Sequence, residues 1–293
     1  AGVTSFMRRK YTRDLSGVDV AVTGVPCDTS TTNRPGARFG PLAIRSASTI
    51  MDWEMPCGMA FDPVDKLAVA DVGDCLFDHG KPETVPAAIE AHASNIISQG
   101  PALLTLGGDH FISYPILKAH AARHGAPLSL LHFDAHSDSW RDDDARVDHG
   151  TMFYWAAQEG IVDPAASLQI GLRTENPDTQ GFNIIDAPSV HEQGIASVIE
   201  EARRCLGDRP VYLTFDIDCL DPAYAPGTGT PVCGGLTTHQ AMAILRGLAG
   251  INVIGMDVVE VAPAYDIGEI TSLAASHIAM EILYLHACAQ AGS

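Results

Sequence analysis

The chain has 293 residues, 46% of them hydrophobic, which is enough apolar material for one large buried core and too much for wholesale disorder. Eighteen Lys and Arg stand against 36 Asp and Glu, a formal charge of −18. That balance sets the chain against nucleic-acid binding and polybasic membrane attachment, both of which need clustered cations. It leaves room for a cationic ligand or bound metal ions.

In chain order, residues 1–17 carry Arg8, Arg9, Lys10 and Arg13 with no apolar run after them long enough for a secretory signal. This stretch reads as an N-terminal arm. Short apolar runs rich in β-branched residues follow at 18–25, 67–72, 102–106, 128–133, 167–172, 182–186, 211–215 and 252–259. Several are apolar on consecutive residues, as strands covered on both faces must be. Amphipathic stretches alternate with them at 41–49, 82–98, 113–124, 151–158, 194–206, 238–248 and 270–289. Pro41 and Pro82 suit a first helical turn, and Thr237 or Thr238 suits a cap. The alternation predicts a three-layer α/β/α fold around a mainly parallel eight-stranded sheet, in a single domain spanning 1–293. No stretch reaches the roughly 18 consecutive apolar residues of a spanning helix. Seven cysteines, an odd number without a C-x-x-C pair, read as free thiols and place the chain in the cytoplasm.

Four polar clusters interrupt this pattern, each at the carboxyl end of a predicted strand: Gly107-Gly108-Asp109-His110, Asp134-Ala135-His136-Ser137-Asp138, Asp216-Ile217-Asp218 and Glu260. In open parallel sheets that rim is where ligands bind. If each cluster runs on in extended form, alternation makes Asp134, His136 and Asp138 converge, and Asp216 with Asp218 likewise. With His110 they make four carboxylates and two imidazoles. Four crowded carboxylates cannot all stay ionised alone, whereas two divalent ions offset them charge for charge. An oxygen-rich set with imidazole and no thiolate favours manganese over zinc or copper. Asp109 and Asp221 read instead as supporting or backbone-capping groups.

The motifs GGDH (107–110), FDAHSD (133–138), TFDIDCLDPAYAPGTGTPVCGGL (214–236) and GMDVVEVAP (255–263) together resemble the arginase/agmatinase ureohydrolase family, from about residue 18 to 285. The segments VDHGTMFYWAAQEG (147–160) and GLRTEN (171–176) resemble its bacterial agmatine-hydrolysing branch. The resemblance implies two Mn2+ ions per subunit. His110 and Asp138 would ligate one, His136 and Asp218 the other, and Asp134 and Asp216 both. It also implies hydrolysis of a guanidino group by a hydroxide bridging the ions, and a homo-oligomer, hexamer or trimer. Glu260 would hold the guanidinium, Asp138 would relay the proton, His149 would face the leaving amine, and Thr230 would line the guanidinium pocket. For His149, a loop histidine bonded to backbone is the plainer alternative.

The substrate's tail must meet the loop Ser139–Asp148, whose four acids and two arginines give it a net −2. It offers little to a carboxylate and suits the ammonium of agmatine, with Trp140 as a cation–π face. The products would be urea and putrescine. Guanidinobutyrate is the alternative, with Arg141 or Arg146 as carboxylate partner, and the acidic run also fits a merely solvated loop. A non-catalytic, metal-binding regulatory homologue is the rival outside enzymes. A one-zinc deacetylase on a similar fold is the enzymatic rival.

Overall fold

The computed structural model of the chain describes residues 2–52, 57–144 and 146–291. Of the tail loop, Ala145 lies outside the described residues, as do the ends of the 1–293 span. Nine strands form one sheet: β1 (Lys10–Tyr11), β2 (Val20–Val25), β3 (Val69–Asp74), β4 (Ala102–Gly107), β5 (Ser129–Phe133), β6 (Leu168–Ile170), β7 (Asn183–Ile185), β8 (Val211–Asp216) and β9 (Val253–Val259). Their order is β1-β3-β2-β4-β9-β8-β5-β6-β7, and every pairing is parallel. The expected count of eight is corrected to nine. The extra strand is a two-residue edge piece from the N-terminal arm, too short to show a period of its own.

The helices are α1 (Gly40–Ala47), α2 (Pro63–Lys66), α3 (Val85–Ile97), α4 (Ser113–His124), α5 (Met152–Gln158), α6 (Ala187–Gln193), α7 (Ile195–Leu206), α8 (Thr238–Gly247) and α9 (Ile270–Ala291). Thr237 caps α8 in a reciprocal capping box with Gln240. Helices α3, α4 and α5 cover one sheet face, and α1, α7, α8 and α9 the other. Strand alternation divides the core accordingly. Leu104, Leu131 and Leu213 join the core under α9, whereas their neighbours Leu103, Leu130 and Tyr212 join the one under α3 and α4. No helix among the described residues is long and apolar enough to cross a membrane.

Register fixes the rim. Leu106 pairs with Val258, Val258 with Phe215, and Phe215 with Phe133, so four adjacent central strands end level with one another. The clusters with His110, Glu260, Asp216 and Asp134 leave from those four ends. Gly108 is needed where the β4 end passes the loop after β2, because a Cβ there would meet the Cys27 carbonyl oxygen at 1.8 Å.

Candidate metal centre and adjoining pocket

The ligand-type side chains converge through turns, not along strand faces. β5 stops at Phe133, and Asp134 Oδ1 accepts the His136 N–H at 2.6 Å. Likewise β8 ends at Asp216, whose Oδ1 accepts the Asp218 N–H at 2.8 Å. Each aspartate thus anchors one oxygen in its own Asx-type turn and presents the other to the centre. Asp138 joins by a left-handed backbone, φ 48°, and Glu260 likewise at φ 66°. Both are strained for residues with a side chain, and such strain persists where surrounding contacts hold it. The extended alternation expected for these clusters is therefore corrected, although the residues do meet.

His110 Nδ1 lies 3.0 Å from Asp134 Oδ2, 2.9 Å from Asp138 Oδ2 and 3.2 Å from Asp216 Oδ2. This buried nitrogen has hydrogen-bond geometry with none of them. His136 Nδ1 lies 3.2 Å from both Asp134 Oδ1 and Asp218 Oδ2. Two groups of atoms are therefore spaced to hold a cation: His110, His132, Asp134 and Asp138 in one, and Asp134, His136 and Asp218 in the other. Asp134 belongs to both. Asp216 reaches the first group through its contact with His110 Nδ1.

Charge at this point is out of balance without a cation. Burial raises Asp138, Asp216 and Asp218, and neighbouring carboxylates raise them further. Burial also works against Asp134, yet His132 and the surrounding imidazole hydrogen bonds hold it well below the usual carboxylate range. His136 resists burial because Asp218 and Asp134 favour its charged form, which puts it up at about 12. The three acids around His110 Nδ1 draw a proton onto that ring against the cost of burying it, well above the imidazole range. A cation at the same point competes with that proton for the Nδ1 lone pair. The donor set fits divalent ions: oxygen and imidazole, acids in excess, and a buried nitrogen aimed at three oxygens.

A buried layer that the sequence reading passed over orients these groups. Tyr212 and Ser113 hydroxyls donate to Asp257 Oδ2 at 2.6 and 2.7 Å, and Thr214 Oγ1 donates to Asp257 Oδ1 at 2.5 Å. With that proton committed, Thr214 Oγ1 accepts from His110 Nε2–H at 2.8 Å, which turns Nδ1 toward the acids. Gln169 Nε2 donates to His132 Nδ1 at 3.0 Å, so His132 Nε2–H donates to Asp134 Oδ2 at 2.7 Å. In this tautomer His132 supports Asp134 and offers no lone pair to a cation. Its position two residues before Asp134 was the available signal. Arg173, in the GLRTEN segment, donates to the carbonyls of Asp218, Leu220 and Val232 and braces the loop after β8. Asp109 accepts from Ser30 N and Phe111 N, and Asp221 from the N–H groups of residues 223, 234 and 235.

Beside the cluster is a cavity of about 310 Å³, lined by Asp138, Trp140, Arg146, Asp148, His149 and Thr230 among others. Glu260, 1% exposed, accepts His110 N–H at 2.8 Å through Oε1, which also lies 3.2 Å from His149 Nδ1. Its other oxygen, Oε2, is buried without a hydrogen-bond partner among the described residues. Burial disfavours a charged His149, but the hydrogen bond and charge of Glu260 win and lift it to about 9. Thr230 Oγ1 donates to Asp218 Oδ2 at 3.1 Å. Trp140, 41% exposed, stands at the mouth. Arg146 pairs with both Asp142 and Asp148, and Arg141 pairs with Asp143 away from the cavity lining.

Comparison with known proteins agrees with this architecture. The arginase family's sequence profile matches residues 18–284. An agmatinase of Chromobacterium violaceum is 56% identical over 286 residues, covering 97% of this chain and 89% of the relative. One from Edwardsiella ictaluri is 50% identical over 270 residues, covering 92% and 88%. Among solved structures, a hypothetical agmatinase from Burkholderia thailandensis superposes with a TM-score of 0.97 at 57% identity, covering 100% of this chain and 93% of that one. The proclavaminate amidino hydrolase of Streptomyces clavuligerus superposes with a TM-score of 0.92 at 38% identity, covering 99% and 98%.

Proposed function

The chain belongs to the arginase family as an enzyme of the agmatinase type, and from that premise we propose that it hydrolyses agmatine to urea and putrescine at a binuclear manganese centre. His110 and Asp138 would hold one ion, His136 and Asp218 the second, and Asp134 and Asp216 both. When bound, such ions would bring the pKa of water toward neutrality and offset the negative charge on the attacking oxygen. The observation that carries the reading is Glu260. Two donors orient its carboxylate through Oε1, and the buried Oε2, without a partner among the described residues, is left for a guanidinium nitrogen. Asp138 lies between the cluster and the cavity, where it serves to carry a proton toward the leaving amine. His149 stands on the same wall with the same role toward the amine or solvent. Thr230 orients Asp218 and closes the guanidinium side.

The tail preference follows from the cavity mouth. Arg146, which a carboxylate tail would need, is already matched by Asp142 and Asp148, while Trp140, in the cavity lining, would offer its ring to a cation. The reading includes a cytoplasmic homo-oligomer, hexamer or trimer, with a single ureohydrolase domain and residues 1–17 as its arm. Product analysis tests the reaction: manganese-loaded protein given agmatine should yield urea and putrescine in equal amounts. Ammonia in place of urea, or no product at all, would overturn it.

A further inference from the structure

The loop between β2 and α1 carries no acid or imidazole at the centre, yet it reaches the cavity wall. Thr32 N lies 3.2 Å and Thr32 Oγ1 2.8 Å from His149 Nε2, across 117 residues of sequence. On the other side of the ring, Nδ1 faces Glu260 Oε1 at 3.2 Å. The imidazole, 8% exposed, is therefore held at both nitrogens between two chain segments.

We propose that Thr32 is a positioning residue for His149. A threonine hydroxyl both donates and accepts. It donates to Nε2 when the ring is neutral and accepts from Nε2–H when the ring is charged. The ring therefore keeps its Nδ1–H toward Glu260 through a proton transfer, with no rotation needed between the two states. A backbone N–H alone serves only the neutral ring. The loop is suited to this because it is pinned. Asn33 Nδ2 donates to the Gly229 carbonyl at 2.9 Å, Ser30 N to Asp109 Oδ2 at 3.0 Å, and Gly36 N to Asp28 Oδ2 at 2.9 Å. Holding a reacting group in one geometry is a large part of what a site contributes to rate.

This inference rests on the proposed hydrolysis of agmatine, and its test separates the two. In manganese-loaded protein, Thr32→Val should lower kcat about tenfold with KM within about twofold, the scale of one lost hydrogen bond to a reacting group. Thr32→Ser should restore kcat to within about twofold of wild type. On a His149→Ala background, Thr32→Val should have no further effect. An undiminished loss on that background, or a serine variant as slow as valine, overturns the proposal. A crystal structure of the Thr32→Val protein should show the His149 ring turned from its line between Thr32 and Glu260. An unmoved ring overturns the proposal whether or not urea is released. Wild-type protein that releases no urea overturns the reading beneath it.

Discussion

Asp134 and Asp216 solve the same local problem in the same way. Each closes a short turn with Oδ1 and presents Oδ2 to His110 Nδ1, on adjacent strands whose ends are in register. Removing one carboxylate charge there should disturb both cation positions at once. We expect Asp134→Asn, and separately Asp216→Asn, to lower urea release at least about a hundredfold and to leave fewer than two ions per chain by elemental analysis. Normal turnover with two ions retained would refute the shared-ligand assignment. The acids of this centre, with His110 and His136, were legible in the sequence because they break apolar runs at strand ends, whereas His132 lies inside β5. Thr214, Asp257 and Gln169 were not, because a polar residue inside a strand has no period to betray its partner. Thr32 was hidden in a run of hydroxyl residues that reads as an ordinary loop.

At the level of elements, most segments were legible, short helices such as α1 and α5 included, while β1, α2 and α6 were not. α4 follows its predicted span, and α9 runs two residues beyond it. α6 went unread because Asp186 was counted in the preceding strand. It is instead the helix cap, accepting from Ser189 N at 2.8 Å with Pro188 in the first turn. α4 also carries a liability. His120 is fully buried against Tyr212 and Gly255, and neither ring nitrogen has a hydrogen-bond partner among the described residues. Burial, aided by His124, lowers it from 6.5 to about 3. Below 6.5 the unfolded chain binds the proton first, so this residue's contribution to stability is complete above 6.5 and is lost as pH falls toward 3. Between pH 7.5 and 5, wild type should lose about 2 kcal/mol more than His120→Leu in denaturant titrations of the metal-loaded protein. Parallel losses in the two proteins would show that His120 does not titrate on unfolding.

For the molecule as a whole, the formal −18 has a distribution that matters more than its size. Four of those charges lie in the proposed ligand set, and two divalent ions bring the loaded chain to −14. In the proposed reading, Glu260 behind His149 would take the guanidinium, and the acid-matched Arg146 in the cavity wall leaves the tail end to an ammonium. The remaining acidic excess favours approach of a dication, though only weakly at physiological salt. Agmatine, arginine, guanidinobutyrate and guanidinopropionate share the guanidino group and differ beyond it, so the proposed agmatine activity turns on selectivity for that tail. The direct measurement is urea release by manganese-loaded protein with agmatine, arginine, guanidinobutyrate and guanidinopropionate. Agmatine should exceed each of the others at least about tenfold in kcat/KM. Comparable turnover of all four, or a lead for guanidinobutyrate, would contradict the account.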